Sequence, residues 1–224
     1  MAERNYNRRY AKEYGLFRTA FYRIFLYLVV WTVSKLQYNL KIVGRNNLEK
    51  GKKYLYTANH TSYLDPPFVS IAVNKTVAYM AKQELFTDDN KLLSNIVKIL
   101  GAFAVNREKP EIATFKTIFD ILKTSWSLGI FPEGQIRRTG VLENIQKGFI
   151  SIAKKAKLDI VPIGISGFDG YAGKTLLKKH ITATIGKPIS YELPEDEILQ
   201  EWAKQICEYT GYENKVEIKE KVNV

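Results

Sequence analysis

Cysteine is almost absent from this chain: Cys207 stands alone among 224 residues. A single thiol excludes an internal disulfide and any cysteine-built zinc site, so nothing here asks for an oxidising compartment and a reducing cytoplasm fits best. Histidine is nearly as scarce, with only His60 and His180. Two imidazoles far apart in sequence leave a usual zinc site without ligands, and no calcium-loop spacing occurs, so no metal is expected. Gly-x-x-x-x-Gly-Lys-Ser/Thr and Gly-x-Gly-x-x-Gly are both missing, which removes support for nucleotide hydrolysis and dinucleotide redox; no cofactor is expected. Gly164-Ile165-Ser166-Gly167 lacks the Gly-x-Ser-x-Gly spacing of a serine hydrolase. There are no internal repeats, low-complexity tracts or Ser/Gly-rich linkers.

A long hydrophobic run is lacking too. Residues 24–34 carry no charge, but that run is eleven residues long, whereas a spanning helix needs about 20 and Arg23 near its middle would be costly. No small-residue cleavage pattern follows Trp31, so a secretory signal is a poor fit. Around the run stand Arg4, Arg8, Arg9, Lys12, Arg18 and Arg23, with tyrosines and tryptophan interspersed. That composition suits a helix lying in the headgroup layer, with aromatics at the boundary and arginines reaching lipid phosphates. A core helix of the domain is the plainer alternative. Residues 1–36 are accordingly expected to be a basic, apolar, membrane-associating segment, and residues 37–224 a single α/β domain.

What the chain has in quantity is positive charge: 34 lysines and arginines against 23 acidic residues, a formal net charge of +11. Hydrophobic residues at 46% and charged residues at 25% are an ordinary globular balance, and the length suits one domain with a sizeable core. The basic excess predicts an anionic partner: a membrane surface, nucleic acid or a soluble acidic carrier. Nucleic acid is not expected, because the fourteen tyrosines are dispersed through strand-like and helix-like segments, where packing is their use.

Beyond Leu36, strand-like and helix-like segments alternate. Strands are predicted at 38–42, 53–58, 76–80, 102–105, 129–131, 160–165 and 181–185, and helices at 66–73, 91–100, 111–128, 145–157 and 195–209. The order predicts an α/β fold, a mostly parallel sheet flanked by helices, with functional residues in loops beyond the strand ends. Residues 212–224 are mixed in charge and read as a final strand or a frayed end.

One such loop is Asn59-His60-Thr61-Ser62-Tyr63-Leu64-Asp65-Pro66-Pro67. Asp65 before Pro66 reads as a helix start, with aspartate at the N-cap and proline at the first helical position. A tight loop would fold the His60 ring back onto the Asp65 carboxylate, leaving the other ring nitrogen free to take a proton from a hydroxyl, the work of a general base. The competing reading makes Asp65 a cap and His60 an ordinary loop residue. His180, opening a strand, is given no role. A second loop, Gly129-Ile130-Phe131-Pro132-Glu133-Gly134-Gln135-Ile136-Arg137-Arg138, breaks a strand at Pro132 and turns at Gly134, with two arginines able to grip a phosphate. Glu133 either meets a polar part of the ligand or holds the turn together; alternatively the whole segment is a strand-end turn with solvated arginines. A third, Gly101-Ala102-Phe103-Ala104-Val105-Asn106-Arg107-Glu108, also puts a basic residue just past a strand.

Asn-His with Asp-Pro at this distance, Gly-Ala-Phe-x-Val-x-Arg, Phe-Pro-Glu-Gly with arginines, and Val161-Pro162-Ile163 together resemble the four ordered motifs of glycerolipid acyltransferases of the lysophosphatidate acyltransferase type. The resemblance runs over residues 38–189 and includes Lys82-Gln83-Glu84-Leu85 and Lys147-Gly148. It implies that His60 deprotonates the acceptor hydroxyl and Asp65 orients it. It also implies that Arg107 binds the acceptor phosphate, that Glu133, Gly134, Arg137, Arg138 and Lys147 serve the acceptor, and that Val161 and Pro162 shape the acyl-donor pocket. The implied partners are a lysophospholipid acceptor, acyl-CoA or acyl carrier protein as donor, and the cytoplasmic face of an anionic membrane. Two departures stand out. Gln135 and Ile136 push the arginine after Phe-Pro-Glu-Gly one position late, and Gly164 stands where a proline is common.

Overall fold

The computed structural model describes residues 8–82, 84–87, 94–95, 97–98, 100–105, 112–167 and 180–217. Its centre is a seven-stranded sheet: β1 (Lys41–Val43), β2 (Leu55–Ala58), β3 (Val77–Lys82), β4 (Phe103–Val105), β5 (Ser127–Ile130), β7 (Ile160–Ser166) and β8 (Thr182–Ile185). Across the sheet the order is β1-β8-β7-β2-β5-β3-β4. The five strands from β7 to β4 are parallel; β8 runs against β7, and β1 follows β8. Helices α3 (Asp65–Val73), α5 (Ile112–Leu122), α6 (Gly148–Ala156) and α7 (Glu195–Thr210) flank it, with a short α4 at Glu84–Thr87. This is the α/β architecture that the alternation of segments predicts.

Position in the sheet explains composition. All four residues of β2 are buried, as a strand covered on both faces requires, so Leu55-Tyr56-Thr57-Ala58 has no polar face. Pro162 sits inside β7 without breaking the sheet because β8 ends there: the Pro162 carbonyl accepts the Gly186 N–H at 2.8 Å, and the ladder to β8 starts at Ile163. The Thr57 hydroxyl accepts the Trp202 indole N–H at 2.8 Å and donates to the Val161 carbonyl at 3.3 Å, tying α7 to the two central strands.

The predicted helix over 111–128 is too long. α5 stops at Leu122, and residues 127–130 are β5. The connecting Lys123-Thr124-Ser125-Trp126 contains no glycine or proline to mark the break, and the turn is fixed from elsewhere, with the Lys53 ammonium on the Leu122 carbonyl at 2.6 Å. β9 (Glu213–Asn214) falls in the stretch read as a final strand or a frayed end and pairs in parallel with β6 (Val141–Leu142), a two-residue strand too short to show alternation. Half of the predicted helix over 91–100 lies outside the described residues; 94–95 and 97–98 are helical.

The N-terminal segment forms a 3-10 turn (Ala11–Tyr14), α1 (Leu16–Ile24), a π-helical stretch (Phe25–Trp31) and α2 (Thr32–Gln37). One side joins the core through Tyr14, Tyr22, Leu26 and Val30. The other leaves Phe17, Phe21, Ile24, Leu28 and Trp31 exposed at helical spacing. Several arginines expected to face lipid turn to the protein instead: Arg8 pairs with Asp120 at 2.6 Å, and buried Arg9 donates to the Ala102 carbonyl at 2.8 Å. Arg18 donates to the Lys98 carbonyl at 3.0 Å. Among the described residues no helix is long and apolar enough to cross a membrane.

Gly164 has a packing reason. A Cβ there would lie 2.4 Å from the Tyr209 Cβ on α7, a clash with helix rather than with a movable chain end. Gly164→Ala is expected to lower unfolding free energy by about 1–3 kcal/mol in urea titrations, while Gly148→Ala, where a Cβ meets nothing within 4 Å, stays neutral. Equal stability of the two variants would show that α7 does not press on β7 as described.

Candidate active site

His60 and Asp65 bracket the loop that leaves β2 and enters α3. The His60 Nδ1 lies 2.9 Å from Asp65 Oδ2. The Asp65 carboxylate is fully buried and accepts three further bonds, from the Thr61 N–H at 2.6 Å, the Ser62 N–H at 2.7 Å and the Thr61 hydroxyl at 3.4 Å. These amides precede the helix, and the helix itself makes no side-chain cap. Asp65 therefore reaches back to the loop instead of forward as an N-cap, which corrects the plainer sequence reading. A carboxylate surrounded by donors accepts a proton-bearing Nδ1, which leaves Nε2 with its lone pair free. The His60 ring is stacked on Phe131 at 4.2 Å, and Phe131 on Tyr79 at 5.5 Å.

The second loop braces the first from the neighbouring strand. Glu133 is buried, and its Oε1 accepts the His60 backbone N–H at 2.8 Å. The Arg137 N–H donates to the His60 carbonyl at 2.7 Å, and Arg138 Nε donates to the Thr61 carbonyl at 2.8 Å. Gly134 takes φ +72°, a left-handed turn that glycine adopts without penalty. The Arg137 guanidinium is held by Glu143 at 3.0 Å, and its buried Nε has no partner among the described residues. The one-position delay thus turns Arg137 toward Glu143 and sets the exposed Arg138 beside the histidine loop. Lys147 opens α6, exposed and 3.5 Å from Asp196; the Gln146 N–H donates to the Pro132 carbonyl at 2.9 Å, which keeps Lys147 near the Phe-Pro-Glu-Gly turn. Val161 and Pro162 are buried within β7. Arg107 lies outside the described residues. His180 is exposed, with its ring 3.0 Å from the Asn39 amide.

Asn59 was quoted in the sequence but given no role. It is fully buried, and its side-chain amide pairs with the Ile165 backbone, donating to the carbonyl at 2.8 Å and accepting the N–H at 2.7 Å. The only sequence signal is its place between a buried strand and the histidine.

A histidine with one nitrogen fixed by a buried carboxylate, at the end of a central parallel strand, has the geometry to take a proton from a hydroxyl or similar group. Residues 39–166 match the family model "Acyltransferase", and the chain belongs to that family and is an O-acyltransferase. It is 30% identical over 159 residues to the 1-acyl-sn-glycerol-3-phosphate acyltransferase of Bacillus subtilis (strain 168), across 70% of this chain and 77% of that one. It is 31% identical over 140 residues to the enzyme of the same name from Streptococcus pneumoniae (strain ATCC BAA-255 / R6), across 62% of this chain and about half, 50%, of that one. In fold it is similar to the crystal structure of the 1-acyl-sn-glycerophosphate acyltransferase PlsC from Thermotoga maritima, with a TM-score of 0.60 and 18% identity over 88% of this chain and 90% of that one.

Burial pushes the Glu133 carboxyl up to about 7, opposed by the His60 N–H and the Arg137 charge. A folded-state value above the unfolded one means that the native chain holds this proton more tightly, so its contribution is present at low pH and is lost as pH rises through 7. Between pH 6 and 8 the wild type should lose about 1 kcal/mol of stability from this group. Glu133→Gln keeps an oxygen for the His60 N–H without the charge. Urea unfolding of this variant should lack that decline; an unchanged pH slope would place the titration elsewhere.

Proposed function

We propose that the chain is a 1-acyl-sn-glycerol-3-phosphate acyltransferase. It moves a fatty acyl group from a thioester donor, acyl-CoA or acyl carrier protein, to the sn-2 hydroxyl of lysophosphatidate, giving phosphatidate in phospholipid biosynthesis. The observation that carries the reading is the braced His60–Asp65 pair at 2.9 Å, and the named relatives support the acceptor. In this reading His60 Nε2 takes the hydroxyl proton as the oxygen attacks the thioester carbonyl. The tetrahedral oxyanion then collapses, the C–S bond breaks, and the imidazolium returns the proton to the leaving thiolate. Asp65 stabilises the imidazolium, and no acyl-enzyme forms because the substrate hydroxyl is itself the nucleophile. Arg107, Arg138 and Lys147 are the proposed phosphate contacts. Arg137 and Glu133 serve the acceptor by holding the histidine loop, and Val161 and Pro162 support the acyl-donor side from within β7.

The setting we assign is the cytoplasmic face of an anionic membrane. The exposed stripe of Phe17, Phe21, Ile24, Leu28 and Trp31 and the net charge of +11 support it. Acyl transfer from radiolabelled acyl-CoA and, separately, acyl carrier protein to lysophosphatidate in mixed micelles tests the reaction. Wild type should label phosphatidate, and the preferred donor follows from the two arms. His60→Ala should lose at least about 10²- to 10⁴-fold in turnover while binding vesicles as before. No transfer by wild type from either donor would reject lysophosphatidate as acceptor.

A further inference from the structure

A pocket of about 250 Å³ lies beneath the N-terminal helix, away from the histidine loop. Tyr27, Trp31 and Lys35 line it from the helix, Arg45 from the 3-10 turn after β1, and Ile71 and Asn74 from the end of α3. It sits at the opposite end of α3 from Asp65, about 13 Å away at 1.5 Å per residue. The catalytic machinery therefore does not account for it.

Its charged groups are of one sign. Arg45 donates Nε to the Ala72 carbonyl at 2.8 Å and Nη2 to the Ile71 carbonyl at 2.9 Å. These two bonds hold the guanidinium rigidly over the last turn of α3 and leave Nη1 without a partner among the described residues. Lys35 makes no ion pair with any described carboxylate, and no acidic residue lines the pocket. The Tyr27 hydroxyl donates to Asn74 Oδ1, which leaves the Asn74 amide N–H groups as further donors. The surrounding sequence is equally one-sided: residues 14–48 contain no aspartate or glutamate but carry Arg18, Arg23, Lys35, Lys41 and Arg45. Lys35 also continues the spacing of the exposed stripe at 17, 21, 24, 28 and 31. Cations and amide donors here meet an apolar, aromatic-edged face, which is the chemistry of a lipid phosphate entered from the acyl-chain boundary.

We propose that this pocket binds the phosphate-bearing headgroup of an anionic bilayer phospholipid, with Lys35 and Arg45 as its cation pair. The site rests on the membrane-surface reading above and adds to it a defined non-catalytic lipid contact. One lipid held there fixes the rotation of the N-terminal helix on the bilayer as well as its attachment.

Trp31 reports on the site directly, since Trp126 and Trp202 are both 0% exposed. Wild type, Lys35→Gln and Lys41→Gln are compared on phosphatidylglycerol/phosphatidylcholine vesicles, with brominated lipid as the quencher. Lys41 is exposed on β1 and outside the pocket lining, so its variant should weaken binding by no more than about fivefold, the effect of one basic residue near an anionic surface. Lys35→Gln should weaken it at least about fivefold further and reduce Trp31 quenching. Water-soluble dihexanoyl phosphatidylglycerol should shift Trp31 emission in wild type and not in Lys35→Gln, and inorganic phosphate at the same concentration should not reproduce the shift. All three proteins should acylate a short-chain, monomeric lysophosphatidate equally. Equal losses in the two variants would reduce the pocket to diffuse electrostatics and overturn the proposal while leaving membrane binding intact. An equal response to inorganic phosphate would make it a free-anion site and overturn the lipid assignment. Wild type staying off anionic vesicles would overturn the membrane reading and this proposal together.

Discussion

A buried carboxylate that must be surrounded by donors is the constraint around which this site is built. Asp65 has no exposed surface, and an isolated charge there would be costly. Two loop amides and the His60 ring meet it at 2.6–2.9 Å. The loop has to close tightly to bring those amides in, and its closure is what turns the imidazole. Once the loop is closed, its outward-facing backbone groups need partners as well. Glu133 takes the His60 N–H, the Arg137 amide takes the His60 carbonyl, and Arg138 takes the Thr61 carbonyl. Asn59 fastens the start of the same loop to β7. Satisfying one buried charge thus organises segments from three parallel strands around one ring nitrogen.

That hierarchy explains what could be read from the sequence. The dyad is local, five residues apart, so spacing and a helix-start signal suffice to suggest it. The braces are not local: Glu133 is 73 residues from His60, and Asn59 is 106 from Ile165. The glutamate's two possible tasks, touching a ligand or holding a turn, could not be separated until the sheet order set β2 between β5 and β7. In the structure its Oε1 holds the loop, while Oε2 is buried without a partner among the described residues. The alternation that marks an α/β fold was visible throughout, whereas the boundary between α5 and β5 was not. Between Leu122 and Leu128 stand only Lys123-Thr124-Ser125-Trp126-Ser127, with no glycine or proline to mark the break, and the change of direction is held by Lys53, far away in sequence.

The sequence offers a helix in the headgroup layer or a core helix for the N-terminal segment; one side of it packs into the core and the other exposes an apolar stripe. Tyr22 is fully committed to the interior: its hydroxyl lies 2.8 Å from that of Ser70 on α3 and donates to the Val77 carbonyl at 3.3 Å. Ser70 in turn meets the Tyr79 hydroxyl at 3.1 Å, and Tyr79 donates to the Pro66 carbonyl at 2.7 Å, one residue past Asp65. The Tyr79 ring also stacks on Phe131, which carries His60. A continuous set of hydroxyl and ring contacts therefore runs from the helix to both members of the dyad. Burial raises the Tyr22 phenol to about 12 and the Tyr79 phenol well above its ordinary value, so both stay neutral and the network carries no charge of its own. A helix that ended at the surface without these contacts could be removed with little effect on the base. This one shares with α3 the packing that places Asp65, so whatever orients its exposed side also constrains the His60 loop.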